Sequence, residues 1–236
     1  MVKRHVFIAT ALILFVAATT SLAQAADKYQ WKLEDTEDGC QIYTSVVAGK
    51  EYIAAKTTCV IPSKMEVIGE VLKDIPNYPQ WMYDCKETKM LNVVDEENEV
   101  FILWFRQHIP LLTDRDMVLK SSATLDTKKI SADIKAELTK EVSYDSGEGY
   151  VRMSSFGCEF FLEWVDREHT KVTFSIDPDP GKGLPKGISN SRIKKIPINS
   201  LKGMMKMVKL QKYIDSAKTT RYVKMIEDGI KAGSIK

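Results

Sequence analysis

The sequence predicts an α+β domain, a curved antiparallel sheet with one dry concave face covered by a long C-terminal helix. Two observations carry this. From about Asp84 to Ile176 the chain reads as a run of strands, and from about Pro197 apolar residues recur at helical spacing. Asp177 to Gly187, between them, is a Pro/Gly loop. A sheet with helices on one face makes an α+β layer pair.

The chain opens with Lys3 and Arg4, an apolar run from Val6 to Ala18 broken only by Thr10, and Ala23-Gln24-Ala25. A charged start, an apolar stretch and small residues at the two positions a signal peptidase reads make a secretory leader. The run is shorter than the ~20 apolar residues that span a bilayer. Cleavage near Ala25 is therefore expected, leaving one domain over 26–236 with a periplasmic or secreted address. Removing Lys3 and Arg4 from 34 basic residues leaves 32, equal to the 32 acidic ones. This balance argues against a nucleic-acid partner, which calls for a basic excess.

Residues 40–47 and 51–61 are rich in β-branched and aromatic types, with Ala48-Gly49-Lys50 as turn material, and read as a hairpin. If Val47 pairs with Tyr52, Cys40 falls opposite Cys59, close enough for a disulfide. The alternative is two buried free thiols. The states of Cys85 and Cys158 stay open. Ser63 with Glu66 three residues on has the form of a capping box before the helical spacing of Met65, Val67, Ile68, Val71 and Leu72. Ile75-Pro76-Asn77-Tyr78-Pro79 breaks that helix, and Tyr78, Trp81, Met82 and Tyr83 form an aromatic cluster.

Strands are expected at 100–109, 115–125, 130–138, 158–165 and 172–176. Asp126 to Lys129 is a turn, and Tyr144 to Gly149 a polar loop. Ile130 to Leu138 alternates strictly, the mark of a sheet with one wet face. Pro197 suits a first helical turn. Leu201, Met204, Met205, Val208, Leu210, Ile214, Ala217, Val223 and Ile226 then give one broad apolar face. Lys202, Lys206, Lys209 and Lys212 fall largely on the other, a face suited to transient contact with an anionic membrane surface or simply to water.

Several segments resemble a known family. His108-Ile109-Pro110-Leu111-Leu112-Thr113-Asp114-Arg115-Asp116-Met117-Val118 resembles the Pro-x-x-x-x-Arg-Asp-hydrophobic-Val segment of START (StAR-related lipid-transfer) domains. Asp177-Pro178-Asp179-Pro180-Gly181-Lys182-Gly183-Leu184-Pro185 resembles that family's Asp-Pro-x-Gly-x-(Ile/Leu)-Pro loop, lengthened by Asp179-Pro180. Asn190 fits the family's Asn after that loop, and Pro197 and Leu201 fit the start of its closing helix. Trp31-Lys32-Leu33 with Gly39-Cys40-Gln41-Ile42-Tyr43 is similar to the start of the first strands, and Tyr78, Trp81 and Met82 to the Tyr-x-x-Trp helix. The matches keep the family's order over roughly 29–215. The resemblance implies a helix-grip fold, a sheet wrapped around a long helix with an internal apolar cavity. It further implies binding of one lipid or sterol-like molecule without catalysis, here in an exported bacterial-type member.

An apolar cavity needs apolar walls and a few polar groups. If Glu159 and Glu163 point outward, Cys158, Phe160, Leu162 and Trp164 point inward. If Lys120 points outward, Met117, Leu119 and Ser121 point inward. Phe174, Trp81, Met204, Met205 and Val208 complete the expected lining, and each is equally readable as plain core. Arg106 shares parity with Trp104 and Ile102. If that face is inward, Arg106 meets a carboxylate or a ligand phosphate. If Phe101, Leu103 and Phe105 are inward, it is solvated. Trp104 and Arg106 are retained as candidates. Arg115 and Asp116 read as a structural brace.

Asp177 and Asp179 read as a turn before a calcium site. No cofactor and no metal is expected. No Gly-x-Ser-x-Gly elbow is present, and His108 and His169 have no partner by spacing. The expected function is a monomeric carrier or sensor of a lipid or sterol-like ligand. The alternatives are a polyketide-cyclase-like or hydrolytic enzyme on the same scaffold and an interaction domain with a filled core.

Overall fold

The structure, a computed structural model, describes residues 28–145 and 147–233. The leader expected through Ala25 lies outside them. Ten strands form one sheet: β1 (Lys32–Glu37), β2 (Cys40–Val46), β3 (Ile53–Ile61), β4 (Cys85–Asp95), β5 (Val100–Gln107), β6 (Asp114–Asp126), β7 (Ser131–Leu138), β8 (Tyr150–Arg152), β9 (Gly157–Trp164) and β10 (Thr170–Ile176). Their order is β1-β2-β3-β10-β9-β7-β6-β5-β4, antiparallel between neighbours, with β8 laid parallel to the start of β6.

The first hairpin has the expected register. Gln41 faces Thr58 and Val46 faces Ile53, and Cys40 and Cys59 are joined as a disulfide with Cα atoms 4.4 Å apart. Strand β4 escapes the sequence pattern because its pairing slips at Cys85/Glu87, Met90/Asn92 and Val93/Asp95. Those bulges break the period of two, as suits an edge strand. Strand β8, only three residues long, lies next to the stretch read as a loop.

Among the described residues four helices complete the fold: α1 (Met65–Lys73), α2 (Lys186–Met207), α3 (Gln211–Ser216) and α4 (Arg221–Lys231). Two expectations are corrected. Ser63 does not cap α1. Thr170 Oγ1 donates to its carbonyl at 2.9 Å, the residue is buried, and Lys64 occupies the cap position without a side-chain bond. The long helix begins at Lys186, with Pro197 buried inside it. Gly187, Ser189, Asn190 and Ser191 are weak helix formers and disguise its first turns. It also ends at Met207. Of the apolar residues beyond, Ile214 belongs to α3 and Val223 and Ile226 to α4, while Val208, Leu210 and Ala217 lie in the connections between the helices.

The sheet has two unlike ends. At one lie the turns 96–99, 127–130 and 165–169, closed by α4: Arg221 Nη1 donates to the Glu97 carbonyl and Tyr222 OH to Glu99 (3.4 Å), while Gly229 packs on Ile130. The other end carries the longer connections 47–52, 108–113, 139–149 and 177–185. Helix α2 runs between the two ends over the concave face. The main core lies where α1 and α2 meet β2, β3, β9 and β10. A smaller cluster of Leu103, Phe105, Met117, Leu119 and Met153 lies beneath the β5–β6 half.

Candidate functional site

The concave face of β5 and β6 is not filled. A cavity of about 60 Å³ lies there, walled by Leu103, Phe105 and Gln107 of β5, Met117, Leu119 and Ser121 of β6, Cys158 and Phe160 of β9, and Phe174 and Ile176 of β10. Tyr78, Met82, Tyr83 and Ile196 roof it. Phe160 and Phe174 are stacked, with ring centroids 3.9 Å apart and planes 4° apart. The space admits a few waters, far below the roughly 300–1,000 Å³ of a ligand pocket. A bound molecule therefore displaces flexible side chains such as Met82 and Met117.

Of the residues expected to face a cavity, Met117, Leu119, Ser121, Cys158, Phe160 and Phe174 do so. Leu162, Met204 and Val208 are buried in the solid core, with Trp164 and Met205 packed at its margin. Trp81 is also core, its ring meeting Phe160 edge-on at 6.2 Å. Helix α2 sits so close here that a Cβ at Gly203 would lie 2.1 Å from the Trp81 carbonyl oxygen, so the lower half of α2 fills the grip rather than roofing a void.

Trp104 and Arg106 are corrections, since both leave the sheet on its convex face. Trp104 Nε1 donates to Asp116 at 2.9 Å, and its ring packs with Ile102, Val118 and Tyr144. Arg106 donates through Nε to Asp114 at 2.8 Å and lies over the Tyr150 ring. An indole N–H needs an acceptor when buried, and the acceptor is outside. Strand β5 is apolar on both faces, so period two does not tell them apart.

Sequence reasoning placed Ser121 and Cys158 on the polar side of the lining and missed Gln107 and Tyr83. Gln107 and Tyr83 are half-buried, and their side chains have no hydrogen-bond partner among the described residues. Gln107 was legible as the next inward residue after Leu103 and Phe105. The thiol of Cys158 is pushed up to about 12 by burial, so it faces the cavity as a neutral group.

The loop end is held by charge. Arg115, 1% exposed, donates to the carbonyls of Thr113, Pro180 and Lys182. It braces the 177–185 loop as a structural residue, through carbonyls. Asp116 takes Arg152 at 2.7 and 2.9 Å. Asp177 accepts from Lys50 at 2.7 Å and Tyr29 at 2.9 Å, and Asp179 accepts the Gly181 N–H, so both serve as turn and brace. Among the described residues no cluster of His, Cys, Asp and Glu has the makings of a metal site. A second concavity of about 450 Å³ on the convex face, beside Tyr29, Trp31 and Gly157, holds charges of both signs.

The chain matches the START domain family over residues 15–214. It belongs to that family. As a START domain it is 26% identical over 197 residues to an uncharacterized protein of Pseudomonas aeruginosa, covering 82% of this chain and 94% of that one. The fold is similar to that of the STAR-related lipid transfer protein of Xanthomonas axonopodis (TM-score 0.68, 19% identity, 76% of this chain and 99% of that). It is also similar to human StAR-related lipid transfer protein 5 (TM-score 0.66, 14% identity, 78% and 88%). The family's helix-grip architecture is present here, its sheet left open.

Proposed function

We propose that this START domain binds one hydrophobic molecule between β5–β6 and α2 and carries it, without chemistry, between membranes outside the cytoplasm. The observation that carries the reading is the apolar cavity, whose lining contains no His, Asp or Glu among the described residues. Those are the side chains most often used for general acid–base work. The Xanthomonas and human proteins of similar fold, both named lipid transfer proteins, agree with it. The leader-like first 25 residues supply the address.

The ligand enters at the loop end, because α4 closes the other. Pro110, Leu111, Leu112 and Ile188 are exposed there, Leu111 completely and in the left-handed backbone region (φ 65°). An exposed leucine held in an unfavourable conformation suits insertion into a lipid surface. The lysine face of the last helices is the weaker candidate, since Lys202 pairs with Glu37 and Asp38 and Lys212 with Asp74.

Native mass spectrometry of protein isolated from its own compartment, with uptake from labelled vesicles, tests the proposal. A co-purifying lipid and uptake slowed severalfold by Leu111→Asp are expected. No lipid and no uptake would overturn it.

A further inference from the structure

The charge and polarity of the cavity wall restrict the head of its ligand. We infer that the ligand is an uncharged, elongated lipid whose hydroxyl or carbonyl oxygen meets the Gln107 amide at the loop end. This rests on the carrier reading above and narrows it to a substrate class.

Among the described residues the cavity wall has no free charge. Its one ionic residue, Lys135, turns its ammonium to the convex face, 2.5 Å from Asp133 and 3.2 Å from Glu159. None of the cations around the loop end lines the cavity. Arg106 is on the convex face with Asp114, Arg115 gives all three nitrogens to loop carbonyls, and Arg192 pairs with Asp84 at 2.5 Å. A carboxylate or phosphate entering this space would lose its water and gain no cation, which is prohibitive for a charge and tolerable for a hydroxyl that finds one hydrogen bond.

The polar groups that do face the cavity are neutral. Tyr78 OH already donates to the Leu72 carbonyl at 2.6 Å. Gln107, Tyr83 and Ser121 have no side-chain partner among the described residues, and the Gln107 amide can both donate and accept. Gln107 lies opposite Arg115 in the sheet, and Ser121 is six residues farther along β6. At about 3.3 Å per residue they stand roughly 20 Å apart. Phe105, Met117, Leu103 and Leu119 lie between them. The lining thus has a neutral polar group near each end of a long apolar wall.

The test offers the protein equimolar 1-hexadecanol and palmitate at pH 8, delivered from cyclodextrin, and reads both adducts by native mass spectrometry. The two probes share chain length and differ in head charge. The alcohol adduct is expected to exceed the palmitate adduct at least tenfold, and Gln107→Lys to reverse the preference. Circular dichroism checks that the variant folds, and the wild-type ratio decides the matter if it does not. Equal or stronger palmitate binding, or an unchanged ratio in folded Gln107→Lys, overturns this inference and leaves the carrier reading standing. Absence of any adduct with either probe overturns both.

Discussion

On β6, Asp114, Arg115 and Asp116 alternate across the sheet, so the two carboxylates leave on one face and the guanidinium on the other. Asp116 accepts from Trp104 Nε1 and from Arg152, and it is buried. Asp116→Ala leaves an indole N–H and a guanidinium short of their acceptor and should cost about 2 kcal/mol, read as a lower urea midpoint at unchanged slope. Asp114 is a pH-sensitive counterpart. Burial alone would raise its carboxyl, but hydrogen bonds from His108, the Ile109 N–H, Arg106 and Lys86 hold it down at about 2, against 3.8 in an unfolded chain. A depressed folded value contributes stability above pH ~4 that is lost as the pH falls toward 2. Asp114→Asn should therefore flatten the acid limb of a stability–pH curve over that window. The Arg-Asp motif was legible in the sequence, but which side each residue takes was not. That depends on the neighbours on the convex face, the Asp114 and Asp116 carboxylates of β6 and the Tyr150 ring and Arg152 of β8.

At the scale of elements, the hairpin β2–β3 was legible down to its register because its two runs are rich in β-branched and aromatic residues and Ala48-Gly49-Lys50 marks the turn between them. Helix α2 was legible as a helix and misread in extent. Its polar, helix-poor opening turns look like loop until β3 and the Trp81–Asp84 segment pack against it. The same helix makes the close contact at Gly203. Gly203→Ala would drive a methyl into the Trp81 backbone carbonyl, which has no flexible end to yield, and should cost about 1–3 kcal/mol. Gly187→Ala, in the same helix with nothing within 4 Å of the added carbon, should leave the melting temperature unchanged or slightly raised. Comparing the two melts separates steric seating from helix propensity.

For the whole molecule, the division into a closed end and a loop end is the main organising fact, and it was not readable from the sequence. Periodicity identifies apolar faces, but it does not say whether two such faces meet or leave a gap. The gap appears only where α2 departs from β5 and β6. The family match ends at residue 214, yet α4 lies beyond it and buries Tyr222, Met225 and Ile226. Burying side chains of this kind contributes about 1.5–3 kcal/mol each, a large share of a domain's total of about 5–15 kcal/mol. A chain ending at Thr219 should therefore melt far below the full chain or fail to fold, as a thermal denaturation series over C-terminal truncations would show.

The placement of the four tryptophans has an optical consequence. Trp31 sits on the outside between Tyr29 and Lys56, Trp104 is hydrogen-bonded on the convex face, and Trp164 lies at the margin of the solid core. Trp81 alone touches a cavity wall, against Phe160. Intrinsic emission on loading should thus report a single indole, and Trp81→Phe should silence the change while the other three keep emitting.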